Sequence, residues 1–222
     1  MITLSQTIDA AVAERAMLSH PLYRSWSAGT LQPEALRFYA RQYFHHVEAF
    51  PQAVSATHAA CPDRDGRRLL AENLAEEEGL GEGRLPHAEL WMNFAAALGV
   101  ERSEVENEVL TGETAALIDT FRSLSRNSYA AGLGALYAYE SQLPGVSTTK
   151  IAGLKQFYGV DDAEGLSFFR VHEAADVEHT AVCRALLDRL PEPDRAEALE
   201  AAKTLSEALL GFLSGVERAS VH

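Results

Sequence analysis

The sequence predicts an all-α fold in a single domain spanning residues 1–222. Three observations carry this. Apolar residues recur at spacings of three and four in nearly every segment, no stretch shows the alternation of a strand, and the prolines and glycines punctuate the helical runs. The 222 residues, 47% of them hydrophobic, are enough to bury one sizeable core. There are no repeats, low-complexity tracts or linkers.

Taken in order, a first helix runs from about Ser5 to Leu18, before the break at His20-Pro21. Pro33 opens a second at its first helical position, with Leu36, Tyr39, Ala40, Tyr43 and Val47 in register towards Pro51. A third covers Pro51 to Ala60, and a fourth follows Pro62 with Leu69, Leu70, Asn73, Leu74 and Glu77 in register. Three glycines and a proline make Gly79–Pro86 a loop. Helices are then expected at His87–Leu98, Thr114–Arg126, Tyr129–Gln142, Val146–Tyr158, Ala163–Leu190 and Pro193–Val216. The last carries an apolar stripe (Leu199, Ala202, Leu205, Leu209, Phe212, Val216) suited to core packing or to a homodimer contact.

A formal net charge of -13 repels phosphate backbones, so nucleic acid is not an expected partner. The two cysteines, Cys61 and Cys183, cannot form a disulfide framework, and a reducing, cytoplasmic setting is expected. No secretory signal pattern opens the sequence, and no apolar run approaches the roughly 18–20 residues that span a bilayer, so no membrane partner is expected.

One helical stripe breaks its own pattern. Phe169, His172, Asp176, His179, Cys183, Leu186 and Leu190 share a face, apolar at both ends and polar in the middle. Burying a carboxylate among neutral imidazoles is costly, and a metal ion resolves the conflict by binding both. An H-x3-D-x2-H triplet also arises by chance, as solvated or hydrogen-bonded side chains, so the reading depends on further ligands. Glu140 follows Leu133 and Leu136 on an apolar face, Glu77 lies one turn beyond Asn73, and His87 starts a helix ahead of Leu90, Trp91 and Phe94. Glu77 competes with its neighbours Glu76 and Glu78, and His87 with a surface role. His45 and His46 lie in a helix rich in large aromatics and suit supporting roles, and Cys183 suits the core. The candidate metal set is Glu77, His87, Glu140, His172, Asp176 and His179. Three carboxylates and three imidazoles suit two iron or manganese ions better than one zinc.

The motifs NLAEEEG…HAELW, YESQLPGVSTTKIAGLKQFYG and FFRVHEAADVEHT resemble those of the haem-oxygenase-like dimetal oxidases, relatives of the TenA and PqqC proteins. Within that group the sequence is most similar to the subfamily of the chlamydial protein associating with death domains, from HPLYRSW to about Cys183. The resemblance implies a seven-helix bundle with Fe/Fe or Fe/Mn inside. It also implies O2-dependent synthesis of para-aminobenzoate for folate, with O2 as co-substrate and an external reductant as electron donor. By the same resemblance the ring comes from the protein's own tyrosine, matching Tyr23, and the nitrogen from its own lysine, matching Lys150. Tyr39, Tyr43 and Tyr139 match aromatic positions implied in radical transfer. Phe168 stands where a further tyrosine is expected, so a relay through that position would be absent.

Two rivals follow from the same residues. The same ligands could serve a catalyst that desaturates, N-oxygenates or cleaves an external small molecule. Alternatively, the chain could be a protein-interaction module with vestigial metals, although no exposed partner motif stands out.

Overall fold

The computed structural model describes residues 2–219, and within that span the side chains of residues 174–178 fall outside the description. Among the described residues there are eleven α-helices, one 3-10 turn and no strand. The opening helix α1 (Leu4–Ala13) is shorter than expected; a 3-10 turn at Met17–Ser19 replaces its last turns. Its start is fixed by a capping box, in which the Thr3 side chain accepts from Gln6 N and the Gln6 side chain accepts from Thr3 N. The His20-Pro21 break proves to be a start. His20 caps α2 (Pro21–Ser27) by accepting from Leu22 N, with Pro21 in the position where its missing N–H costs nothing.

Pro51 does not divide the next segment. One helix, α3 (Pro33–Ala60), runs through it, so the two helices expected here are one. An interior proline forfeits one backbone hydrogen bond, and tertiary packing of Phe50, Ala53 and Val54 on both sides outweighs that loss. After α4 (Arg64–Glu77) and α5 (His87–Ala97), a short α6 (Arg102–Glu106) forms that the periodicity did not reveal. The remaining helices fall close to the expected boundaries: α7 (Gly112–Asn127), α8 (Tyr129–Glu140), α9 (Leu143–Phe157), α10 (Ser167–Asp188) and α11 (Glu192–Ala219). Seven of these helices have twelve residues or more.

Helix α8 is the axis of the bundle. It is buried on every side from Ala130 to Glu140, packed against α11, α7, α10 and α3. Such a helix has no polar face to give it a period. Its small residues permit the close approach: a Cβ on Gly134 would collide with the Ala198 carbonyl of α11. The α11 stripe of Leu205, Leu209, Phe212 and Val216 is buried within the chain itself, which is the core-packing role. One hydrophobic cluster runs through all these contacts. Glu140, Glu77 and His87 are buried at helix ends and starts, and Lys150 in the middle of α9.

Candidate active site

Glu77 is the last residue of α4 and His87 the first of α5, so the intervening loop must return the chain to where it left. Gly79 makes the turn at φ +66, where a Cβ would strike the backbone at Leu85-Pro86. His87 Nδ1 then lies 2.7 Å from Glu77 Oε2, with both side chains buried. From α10, His172 brings its ring centroid to 4.5 Å from that of His87. His172 Nδ1 donates to the Phe168 carbonyl at 2.7 Å, so the ring lone pair is on Nε2. A backbone carbonyl holding one ring nitrogen while the other faces a ligand is the usual support of a metal-binding histidine.

One ligand atom each from Glu77, His87 and His172 lies within 4.8 Å of the others, all three residues being buried. Burial pushes the Glu77 carboxyl up to about 7, and the His172 and His179 imidazoles pull it partly back. Burial likewise raises Glu140 to about 6. This is a donor set that gains from a cation, and one carboxylate with two neutral imidazoles fits iron or manganese.

Two other expected ligands stand beside this trio. Glu140, at the end of α8, accepts from Asn73 Nδ2 at 2.7 Å and from Cys183 Sγ at 3.5 Å. His179 Nε2 is 3.0 Å from Glu76 Oε2, so Glu76, the rival to Glu77, contacts the cluster from its partly exposed rim. Asp176 belongs to the stretch 174–178 and lies outside the described side chains. His45 and His46 are not part of the cluster. His46 is buried among Tyr43, Phe50, Phe121 and Tyr139, and desolvation drives it down to about 3.

A second polar group is buried nearby. Lys150 Nζ, on α9, sits inside a cage of six aromatic rings. The centroids are at 4.6 Å (Tyr39), 5.0 Å (Tyr23), 5.3 Å (Phe169), 5.4 Å (Tyr43), 5.5 Å (Trp26) and 5.8 Å (Trp91). No carboxylate pairs with it among the described residues, and burial holds the amine well below the ordinary lysine value. Lys150 Nζ and Tyr39 Oη share a hydrogen bond of 2.5 Å, and Tyr39 Oη is 3.2 Å from Tyr23 Oη. Tyr39 stacks on Tyr43 at 5.3 Å, and Tyr43 Oη is 2.8 Å from Tyr139 Oη. Burial also raises the Tyr23 and Tyr39 phenols above their usual value. All five residues expected beyond the metal set therefore form one continuous group.

Three contributors escaped the sequence reading. Asn73, placed only in register, holds Glu140. Trp26 walls the cage and donates from Nε1 to the Lys150 carbonyl at 3.4 Å. Trp91, read as core, is one ring of the cage and meets Phe168 edge-on at 4.7 Å, and its position one turn after His87 was the available signal. Among the described residues, no helix is long and apolar enough to cross a membrane.

The chain is similar to known proteins at two levels, sequence and fold. Residues 37–210 match the family described as iron-containing redox enzyme. The 4-aminobenzoate synthase of Chlamydia muridarum is 41% identical over 207 residues, covering 93% of this chain and 86% of the relative. That of Nitrosomonas europaea is 37% identical over 226 residues, covering 96% and 91%. In fold, a haem-oxygenase-like domain of unknown function from Shewanella denitrificans superposes with a TM-score of 0.81 at 15% identity, covering 97% of this chain and 91% of that one. The chain thus belongs to the iron-containing redox enzyme family and carries its haem-oxygenase-like all-α fold.

Proposed function

We propose that this chain makes 4-aminobenzoate, a folate precursor, by an O2-dependent oxidation in which Tyr23 supplies the ring and Lys150 the nitrogen. The observation that carries the reading is the Lys150 amine: buried, unpaired with any carboxylate among the described residues, and 5.0 Å from the Tyr23 ring centroid. The relatives named 4-aminobenzoate synthase, at 37–41% identity, support it.

The product's two substituents stand para to each other, as Cβ and Oη do on tyrosine. Release of the ring therefore breaks the Tyr23 Cα–Cβ bond, with Cβ oxidised to the carboxyl level, and nitrogen takes the place of Oη. Lys150 meets the second requirement. Its amine is one hydroxyl away from Tyr23 Oη, through Tyr39. A neutral amine keeps the lone pair that a nitrogen donor needs, and the apolar cage keeps it neutral by desolvation. The same cage excludes water from a tyrosine radical or its products. Tyr39 fixes the amine, and Tyr43, stacked on Tyr39, shares a hydrogen bond with the Tyr139 hydroxyl. Bound by Glu77, His87 and His172, with Glu140, Asp176 and His179 completing the set, an Fe/Fe or Fe/Mn pair would supply oxidising power drawn from O2 and an external electron donor. Because the substrate is part of the chain, each molecule gives its product once.

The test is the intact mass of metal-loaded, reduced protein before and after O2, with the small-molecule fraction alongside. A loss located at Tyr23 together with free 4-aminobenzoate is expected, and Tyr23→Phe is expected to give no product. An unchanged mass with O2 consumed overturns the reading and points to an external substrate, for which Tyr23→Phe would keep most activity.

A further inference from the structure

We infer that Tyr39 is a catalytic proton relay in the nitrogen transfer: its hydroxyl takes protons from the Lys150 amine and passes its own to the Tyr23 oxygen. The inference rests on the function proposed above. Two hydrogen bonds carry it. Tyr39 Oη is 2.5 Å from Lys150 Nζ and 3.2 Å from Tyr23 Oη, so one hydroxyl touches both the incoming nitrogen and the oxygen it replaces. The ring that bears this hydroxyl is fixed. Tyr39 is fully buried, stacked on Tyr43 at 5.3 Å and edge-on to Trp26 at 5.7 Å. A charge formed here would have aromatic faces for company and no water. Burial raises the Tyr39 phenol above its ordinary value and holds the Lys150 amine below its own, so neither a phenolate nor an ammonium ion is favoured. Protons must therefore move together with the bonds, through a group that can give and accept at once. A hydroxyl is such a group.

The step balances as follows. O2, taking two electrons and two protons from Tyr23, leaves its ring as a quinone methide with a carbonyl at Cζ. Lys150 Nζ adds to Cζ as the C=O π bond opens. One Nζ proton crosses to Tyr39 Oη, and the Tyr39 proton crosses to the former carbonyl oxygen. The second Nζ proton follows the same path as the Cζ–O bond breaks. The oxygen leaves as water, and a C=N bond joins Lys150 to the ring. No electron is gained or lost in either stage, and Tyr39 ends as the phenol it was at the start. The two protons of the neutral amine leave in the water, so Lys150 carries no charge and no further proton acceptor is needed.

The test reads which ring leaves metal-loaded, reduced protein after mixing with O2. Tyr39→Phe keeps the ring and removes the hydroxyl. It is expected to consume Tyr23 but to release a 4-hydroxy aromatic, lowering the ratio of 4-aminobenzoate to hydroxylated product by about 10²-fold or more, the usual worth of a positioned acid–base group. A ratio unchanged from wild type overturns the relay. So does a folded variant that leaves Tyr23 intact, because Tyr39 then serves the oxidation instead. A second arm covers a Tyr39→Phe that does not fold: Tyr39→Ala with phenol or benzene added to fill the space of the ring. Phenol is expected to restore 4-aminobenzoate and benzene is not; equal results with the two overturn the relay. Wild type is read in the same series. If it consumes Tyr23 and yields 4-aminobenzoate while the Tyr39 arms go against expectation, the relay falls and the proposed function stands. If wild type leaves Tyr23 intact, the proposed function itself falls.

Discussion

Glu77 and Lys150 are both fully buried in one bundle, and burial changes their protonation in opposite senses. The Glu77 carboxyl is pushed up to about 7, yet it stands with His87 and His172 in a cluster whose lone pairs converge. Lys150 meets the faces of six rings and the Tyr39 hydroxyl, and burial holds its amine well below the ordinary lysine value. The first region favours a cation; the second disfavours one. Desolvation is the same force in both, and the neighbours decide its use. Convergent donors suit a cation, whereas convergent π faces around a buried amine lower its affinity for a proton. Helix α5 joins the two, with His87 in the first and Trp91 in the second.

The sharpest way to break that contrast is to disturb one region alone. Asn73→Ala removes the 2.7 Å hydrogen bond that holds Glu140 Oε1 and touches nothing in the cage. Groups that orient metal-binding side chains commonly carry about 10–100-fold in affinity. The variant is expected to bind Fe2+ or Mn2+ more weakly by that factor in competition with a chelator. Unchanged affinity would remove Glu140 from the metal set.

That asymmetry also explains which parts of the site could be read from sequence. His172, Glu140 and Glu77 were visible because each interrupts an apolar helical stripe, and a polar residue there must be satisfied by something. Lys150 interrupts nothing. It lies in the middle of α9, a helix of moderate amphipathicity, and its burial depends on α2, α3, α5 and α10 converging from distant parts of the chain. Periodicity within one helix carries no information about that convergence, and only the family resemblance singled out Tyr23 and Lys150. Trp91 failed for the opposite reason: a tryptophan in an apolar stripe looks like core, and it is core. The fold class followed from periodicity, but Pro51 and the short α2 and α6 did not, since local propensity misjudges what packing will override.

The cage can be tested by its effect on stability. In the unfolded chain Lys150 titrates near 10.5, and in the fold well below. Between the two values unfolding takes up a proton, so this group's contribution to stability is fully present above 10.5 and is lost as pH falls through the folded value. Lys150→Met removes the titration and fills the cage with apolar atoms. In metal-free protein its Tm is expected to exceed wild type by several degrees at neutral pH, each ~1 kcal/mol being worth about 2–4 °C in a chain of this size. The gap is expected to close as pH approaches 10.5. A gap independent of pH would mean that the amine keeps its proton among the rings.

A smaller perturbation asks whether the walls of the cage matter as much as its occupant. Gly153 on α9 faces Trp26 of α2: a Cβ there would sit 2.6 Å from Trp26 Cδ1 and 3.2 Å from the Trp26 carbonyl. Alanine favours a helix interior over glycine by about 0.5–1 kcal/mol, while overpacking a filled core costs about 1–3 kcal/mol. Gly153→Ala is therefore expected to lower Tm slightly. Relief of the clash requires Trp26 to move, and Trp26 is both a face of the Lys150 cage and a donor to the Lys150 carbonyl. Water admitted by that movement would let the amine regain its proton, raising it towards the ordinary value. Thermal melts of metal-free Gly153→Ala across the same pH range are thus expected to show a weaker rise of stability with pH than wild type. A lower Tm with the wild-type pH dependence would mean that Trp26 only packs, and that the other five rings suffice to keep Lys150 neutral.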